Sequence, residues 1–178
     1  MKNDSAIHKH IFVLTGPVQG GKTTLVSEKT SLLREKGVKV MGFLCPGSFS
    51  EGERSAFSLV DLETGRQVAM GDVNERKGWV KFRRFFFNPE AFIQGELWIK
   101  SCLKRDPDLL VIDEVGPMEL AGDGWAKTLD TLAQNSSVTQ LWIVRQQIVQ
   151  EVLRKWRIPD NQVYTAESID NLIQRWIP

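Results

Sequence analysis

The stretch Gly16-Pro17-Val18-Gln19-Gly20-Gly21-Lys22-Thr23 constrains this chain more than any other, because it fits the phosphate-loop pattern G-x-x-x-x-G-K-[ST] without a gap. Such a loop turns sharply, so successive backbone N–H groups converge on one anion, and Gly16, Gly20 and Gly21 supply the permissive backbone. Lys22 is placed to meet the β- and γ-phosphates as a point charge, and the Thr23 hydroxyl to ligate Mg²⁺. Thr24 completes the nucleotide-binding stretch, 16–24. The motif also dictates its surroundings, since it works only between a buried strand and the positive end of a helix. Ile11-Phe12-Val13-Leu14 reads as that strand. Leu25, Val26, Lys29, Leu32 and Leu33 then keep helical spacing, with the Lys29 stem along the apolar face and Gly37 at the helix end.

Beyond the loop the pattern continues to alternate. Val38–Leu44 is an apolar strand and Ser48–Arg54 a polar loop. Ala56–Leu62 and Arg66–Met70 flank the turn Glu63-Thr64-Gly65 and form a hairpin. Trp79–Phe87 is extended. Asn88 and Pro89 are the N-cap and first residue of a helix whose apolar stripe is Phe92, Leu97, Ile99 and Leu103. Leu109–Ile112 is a continuous apolar run of the kind found in central parallel strands. A helix around Trp125, Leu129, Leu132 and Ala133 follows, then the strand Leu141–Val144. A helix marked by Ile148, Val149, Val152, Leu153 and Trp156, a short strand Val163–Thr165 and a terminal helix with Ile169, Leu172, Ile173 and Trp176 complete the chain. Strand-then-helix repetition implies an α/β fold, with a mostly parallel sheet between helices on both faces and the hairpin at an edge. In such sheets ligands sit at the C-terminal ends of the strands.

Composition limits the alternatives. The 178 residues are expected to form a single domain over 1–178, with 1–9 a flexible N-terminus; His8 and His10, in the polar stretch before the first strand, are read as solvated. A hydrophobic fraction of 42%, a charged fraction of 25% and a net charge of +1 are ordinary for a soluble protein and give no electrostatic case for nucleic acid. No apolar run approaches the roughly 18 residues of a membrane span, and Met1–Ser5 lacks the apolar core of a signal peptide. A cytoplasmic protein is expected. Cys45 and Cys102 are accordingly read as reduced and structural. The basic and aromatic run Lys81-Phe82-Arg83-Arg84-Phe85-Phe86-Phe87 reads as a strand with one packed and one solvated face, and the tryptophans at 125, 156 and 176 as core.

Asp113-Glu114 follows the central strand directly, at the end where ligands bind. Asp113 is suited to hold Mg²⁺ or one of its waters opposite Thr23. Two adjacent acids ending a buried strand are costly without charge partners. The cation and Lys22 answer one of them, and Glu114 is left to take the proton of an attacking water. Arg145, at the end of the following strand, and Arg54 are the candidates for stabilising the spreading charge on the γ-phosphoryl group.

The run Val111-Ile112-Asp113-Glu114-Val115-Gly116-Pro117-Met118-Glu119-Leu120 resembles the signature of the thermophile-type nucleoside-triphosphatase family, which includes the vertebrate cancer-related nucleoside triphosphatase. Gly37–Phe43, Gly52–Leu62, Asn88–Phe92 and Thr165–Leu172 resemble further stretches of that family, so the likeness covers most of the chain. It implies a RecA-like P-loop three-layer sandwich in which an extra strand separates the phosphate-loop strand from the Asp strand. It also implies slow, Mg²⁺-dependent hydrolysis of ATP, GTP and other nucleoside triphosphates to diphosphate and phosphate. The family often carries a His-Arg pair at the end of the strand after the acids; here Ile143-Val144-Arg145 retains only the arginine. Two other classes remain open at the level of sequence, a phosphotransferase with a small-molecule acceptor and a slow nucleotide-dependent switch with a protein partner.

Overall fold

The first strand, β1 (Ile11–Gly16), shows how the sheet is covered. Ile11 and Val13 enter one apolar cluster and Phe12 and Leu14 a second, so both faces of the strand are buried. The structure is a computed structural model and describes residues 10–135 and 137–176. The expected flexible stretch 1–9, with His8, lies outside the described residues, and His10 is half-buried just before β1.

After β1 and the loop comes α1 (Lys22–Glu35). It closes as the sequence implies: Gly37 N–H reaches the Arg34 carbonyl and Val38 N–H the Leu33 carbonyl, both at 3.0 Å. Val26, Thr30 and Leu33 form its buried face, while Leu32 is exposed. Next is β2 (Val40–Leu44), fully buried. Antiparallel strands follow: β3 (Gly47–Ser50), β4 (Glu53–Asp61), β5 (Gln67–Asp72), β6 (Val80–Phe82) and β7 (Phe85–Phe87). Then come α2 (Pro89–Leu103), β8 (Leu109–Val115), the single turn α3 (Pro117–Leu120) and α4 (Ala126–Asn135). The chain continues with β9 (Gln140–Arg145), α5 (Val149–Lys155), β10 (Val163–Tyr164) and α6 (Ile169–Ile173).

The described strands form one sheet in the order β10-β1-β9-β8-β2-β4-β5-β7-β6, with β3 beside β4. From β10 to β2 the pairing is parallel; from β2 onward it is antiparallel. The fold is therefore α/β, with a parallel centre and helices on both faces. Strand β9 lies between the loop strand β1 and the acid-bearing β8, the order that the resemblance implied. One face is packed by α2, α4 and α5 through Trp98, Leu129, Leu132, Val152 and Trp156. The other is packed by α1 and α6 through Val26, Leu33, Ile169 and Leu172.

Three expectations change. The segment 48–54 is not a loop: β3 and β4 pair around a tight turn at Glu51 and Gly52. The extended segment 79–87 is broken at Arg83, whose φ of 54° turns the chain back as the β6–β7 hairpin. The antiparallel part of the sheet is thus larger than one edge hairpin. On α2, the Asn88 side chain does accept the Glu90 N–H at 3.1 Å. Its buried face, however, is Ala91, Gly95, Trp98, Ile99 and Cys102, and Leu97 points to solvent. Gly95 lets the Trp125 indole pack directly on the α2 backbone, a contact between distant segments that helical periodicity does not register.

The tightest backbone approach in the parallel core is at Gly42, in register with Val111 and with φ of 113°. A Cβ there would stand 2.0 Å from the Val111 carbonyl oxygen. Gly42→Ala is expected to destabilise the fold by roughly 2–4 kcal/mol, from backbone strain and overpacking together. The measurement is the urea unfolding midpoint, and a midpoint equal to that of the parent would contradict the geometry.

Candidate active site

The register of three neighbouring strands brings the site together. Gly16, where β1 ends, pairs with Arg145, where β9 ends, and Val144 pairs with Val115 on β8. Between Asp113 and Val115 the ladder shifts by one residue, so Glu114 is an insertion in β8. Asp113 follows the parity of Val111 and faces α1. Val115 returns to the opposite face with Ile112. The shift is what lets two adjacent acids serve one cleft.

The loop ends at Gly21, whose φ of 72° turns the chain into α1, and no side chain caps that helix. Its first N–H groups are left for an external acceptor. Lys22 Nζ meanwhile folds back onto the loop, donating to the carbonyls of Gly16 at 3.0 Å and Pro17 at 2.6 Å. Desolvation lowers the Lys22 pKa, and the charges of Glu114 and Asp113 oppose the shift. Val18, Gln19, Gly20, Gly21, Lys22, Thr23 and Thr24 line a cavity of about 360 Å³, closed on the far side by Arg54, Asp113, Glu114 and Arg145.

Asp113 is buried at 2% exposure. Its Oδ2 accepts the Thr23 hydroxyl at 2.8 Å and the Cys45 N–H at 3.0 Å. Burial, reinforced by the neighbouring Glu114 charge, pushes its pKa up to about 6 despite those donors. An ionised Asp113 therefore lacks sufficient positive charge in the protein alone. One buried carboxylate and one hydroxyl, beside a loop built for phosphate, are the hard oxygen donors that Mg²⁺ takes when substrate and water supply the rest. Among the described residues no group of three or more His, Cys, Asp or Glu forms an all-protein metal cage.

Glu114 is held from two sides. Arg145 Nε donates to Oε1, and Arg54 Nη1 donates to Oε2 at 3.0 Å. Burial raises the carboxyl pKa, but the Arg145 hydrogen bond and charge, with Arg54 behind them, bring it below the ordinary value. Glu114 is thus ionised near neutrality. Sequence reasoning left Arg54 on a mobile loop, but it lies near the start of β4. It is braced by Arg84, which donates to the Arg54 carbonyl at 2.9 Å and to Glu53.

All the anticipated residues meet at one cleft, with Gly16 and Pro17 contributing carbonyls to Lys22. Sequence reading missed the Cys45 N–H, because a backbone donor leaves no trace in residue type, and the Arg84 brace. The Cys45 thiol is fully buried and donates to the Asp113 carbonyl at 2.6 Å, and burial pushes its pKa well up. Both cysteines are free.

The chain matches the family model described as NTPase over residues 10–174. It belongs to that family. The nucleoside-triphosphatase THEP1 of Caldivirga maquilingensis is 31% identical over 125 residues, covering 70% of this chain and 69% of the relative. Among solved structures, THEP1 from the hyperthermophile Aquifex aeolicus superposes with a TM-score of 0.62 at 18% identity, over 93% of this chain and 95% of the other. A human cancer-related nucleoside triphosphatase superposes at 0.67 and 20%, over 93% and 96%. The fold is the one these NTPases share.

Glu119 caps α3. Its carboxylate accepts Gly116 N–H at 2.9 Å and Trp125 N–H at 3.3 Å, and burial raises its pKa to about 7. An acid whose pKa is higher folded than unfolded carries no penalty below the unfolded value of 4.5 and loses stability as pH rises to about 7. Subtracting the stability of Glu119→Gln from that of the parent should give a difference that falls by roughly 3 kcal/mol at most across that window. Urea titrations at stepped pH measure it, and a flat difference would refute the assignment.

Proposed function

We propose that this chain is a cytoplasmic, Mg²⁺-dependent nucleoside triphosphatase that hydrolyses ATP, GTP and related triphosphates to the diphosphate and phosphate. The observation that carries the reading is Glu114: an ionised carboxylate at the strand end, held between two arginines and facing the phosphate loop across one cavity. Membership of the NTPase family and two free thiols, suited to a reducing compartment, agree with it. Among the described residues no helix is long and apolar enough to cross a membrane.

On this reading the loop N–H groups and the α1 N-terminus bind the phosphates. Lys22 leaves the Gly16 and Pro17 carbonyls for the γ-phosphoryl oxygens. Thr23 and Asp113 hold Mg²⁺, which when bound neutralises phosphate charge. Glu114 orients the attacking water and accepts its proton while the bond from the γ-phosphorus to the bridging oxygen breaks. Arg145 and Arg54 are the cations able to turn from Glu114 toward the equatorial charge of the transferring group. Phosphate recognition ignores the base, which accounts for a broad nucleotide range.

Glu114→Gln is expected to keep nucleotide binding and to lower phosphate release about 10²-fold or more. Lys22→Ala serves as the binding-deficient control, with ATP, GTP, CTP and UTP compared. Turnover near that of the parent in Glu114→Gln would sink the assignment. Arg145→Ala and Arg54→Ala should each lower kcat by about 10²-fold if both cations reach the transition state. A loss confined to one variant would assign the role to that arginine alone.

A further inference from the structure

A second cavity of about 340 Å³ lies behind Glu114, on the side away from the phosphate loop. It is at the lower end of the roughly 300–1,000 Å³ range of small-molecule sites. Its walls draw on Phe82, Phe85 and Phe87 of the aromatic run and on aromatic rings from outside it. Phe57, Phe85, Phe87 and Phe92 pack edge-to-face or tilted around it, with ring centroids 5.2–6.3 Å apart, and Met70 and Met118 complete the apolar surface. Arg84, Phe85, Glu114 and Arg145 line this chamber and the nucleotide cavity alike, so the two share one wall.

Most of the charges at the chamber are already engaged. Arg145 and Glu114 pair with each other and Arg84 with Glu53. Arg83 lies over the Phe82 ring, and the Glu119 carboxylate accepts two backbone N–H groups. At the inner end an anion would face the Glu114 carboxylate, whose two arginines are already paired with it. What remains is acceptor capacity: the structure gives Glu114 one donor on each oxygen, and a carboxylate has about four lone-pair sites. A polarisable aromatic wall with one acceptor at its end suits a flat, uncharged ring with an O–H or N–H group.

We infer that this chamber is a second ligand site, taking a small neutral aromatic molecule whose O–H or N–H donates to Glu114. Its occupant stands against the carboxylate from which the attacking water is served, so occupancy and hydrolysis compete. That competition rests on the proposed role of Glu114; binding itself does not.

Phenol and indole are suitable probes, with benzoate as the anionic control. Methyl-¹³C methionine places reporters in the chamber at Met70 and Met118 and a reference in the core at Met41, within the buried strand β2. Saturable shifts of Met70 and Met118, with Met41 still, are expected for phenol or indole. Met118→Phe, which fills the chamber, should raise the midpoint of the Met70 shift at least tenfold, while phosphate release without probe and the thermal midpoint stay unchanged. In the parent, phosphate release should fall with the same midpoint as the shifts. Absence of saturable shifts, equal binding of benzoate, or a parallel shift of Met41 would overturn the site. Shifts without any effect on release, in a protein whose Glu114→Gln variant has lost turnover, would overturn the contact with Glu114 and with it the proposal.

Discussion

The structure depends on one oxygen atom. Asp113 Oδ2 receives the Thr23 hydroxyl from α1 and the Cys45 N–H from the end of β2, while its own backbone ends the buried run of β8. Three elements that are distant in sequence are thus fastened at one buried oxygen beside the loop. A buried carboxylate without sufficient counter-charge costs several kcal/mol. Burial, with the Glu114 charge beside it, accordingly raises the Asp113 pKa to about 6.

Around that atom the two halves of the sheet divide the work. The parallel half sets the distance between the loop on β1 and the acids on β8 by placing β9 between them, and β9 itself delivers Arg145. The antiparallel half delivers Arg54, held in place by Arg84 at the tip of the β6–β7 hairpin. Glu114 is where they meet, one arginine on each carboxylate oxygen. The hairpins therefore belong to the site as much as the loop does, and the apolar chamber behind Glu114 lies where they join the core.

Much of this was legible in the sequence, for identifiable reasons. The loop, Thr23 and the Asp113-Glu114 pair are short-range patterns in which residue type and spacing carry the chemistry. The continuous apolar runs at 11–14, 109–112 and 141–144 and the Asn88-Pro89 cap are local as well. What was not legible depends on tertiary contact. Residues 48–54 are polar because β3 is an exposed strand, and polarity was mistaken for a loop. Leu97 was assigned to the apolar stripe by residue type although it stands only two residues from Ile99, and the buried face of α2 lies instead toward Gly95 and Trp98, where Trp125 packs. Arg54 looked unplaced because its partner is far along the chain and its brace comes from a third segment.

Lys22 has a consequence of another kind. Its ammonium group donates to the Gly16 and Pro17 carbonyls, so the loop is closed by its own cation. The turn from β1 into α1 is thereby tied together by the side chain of the first residue of the helix.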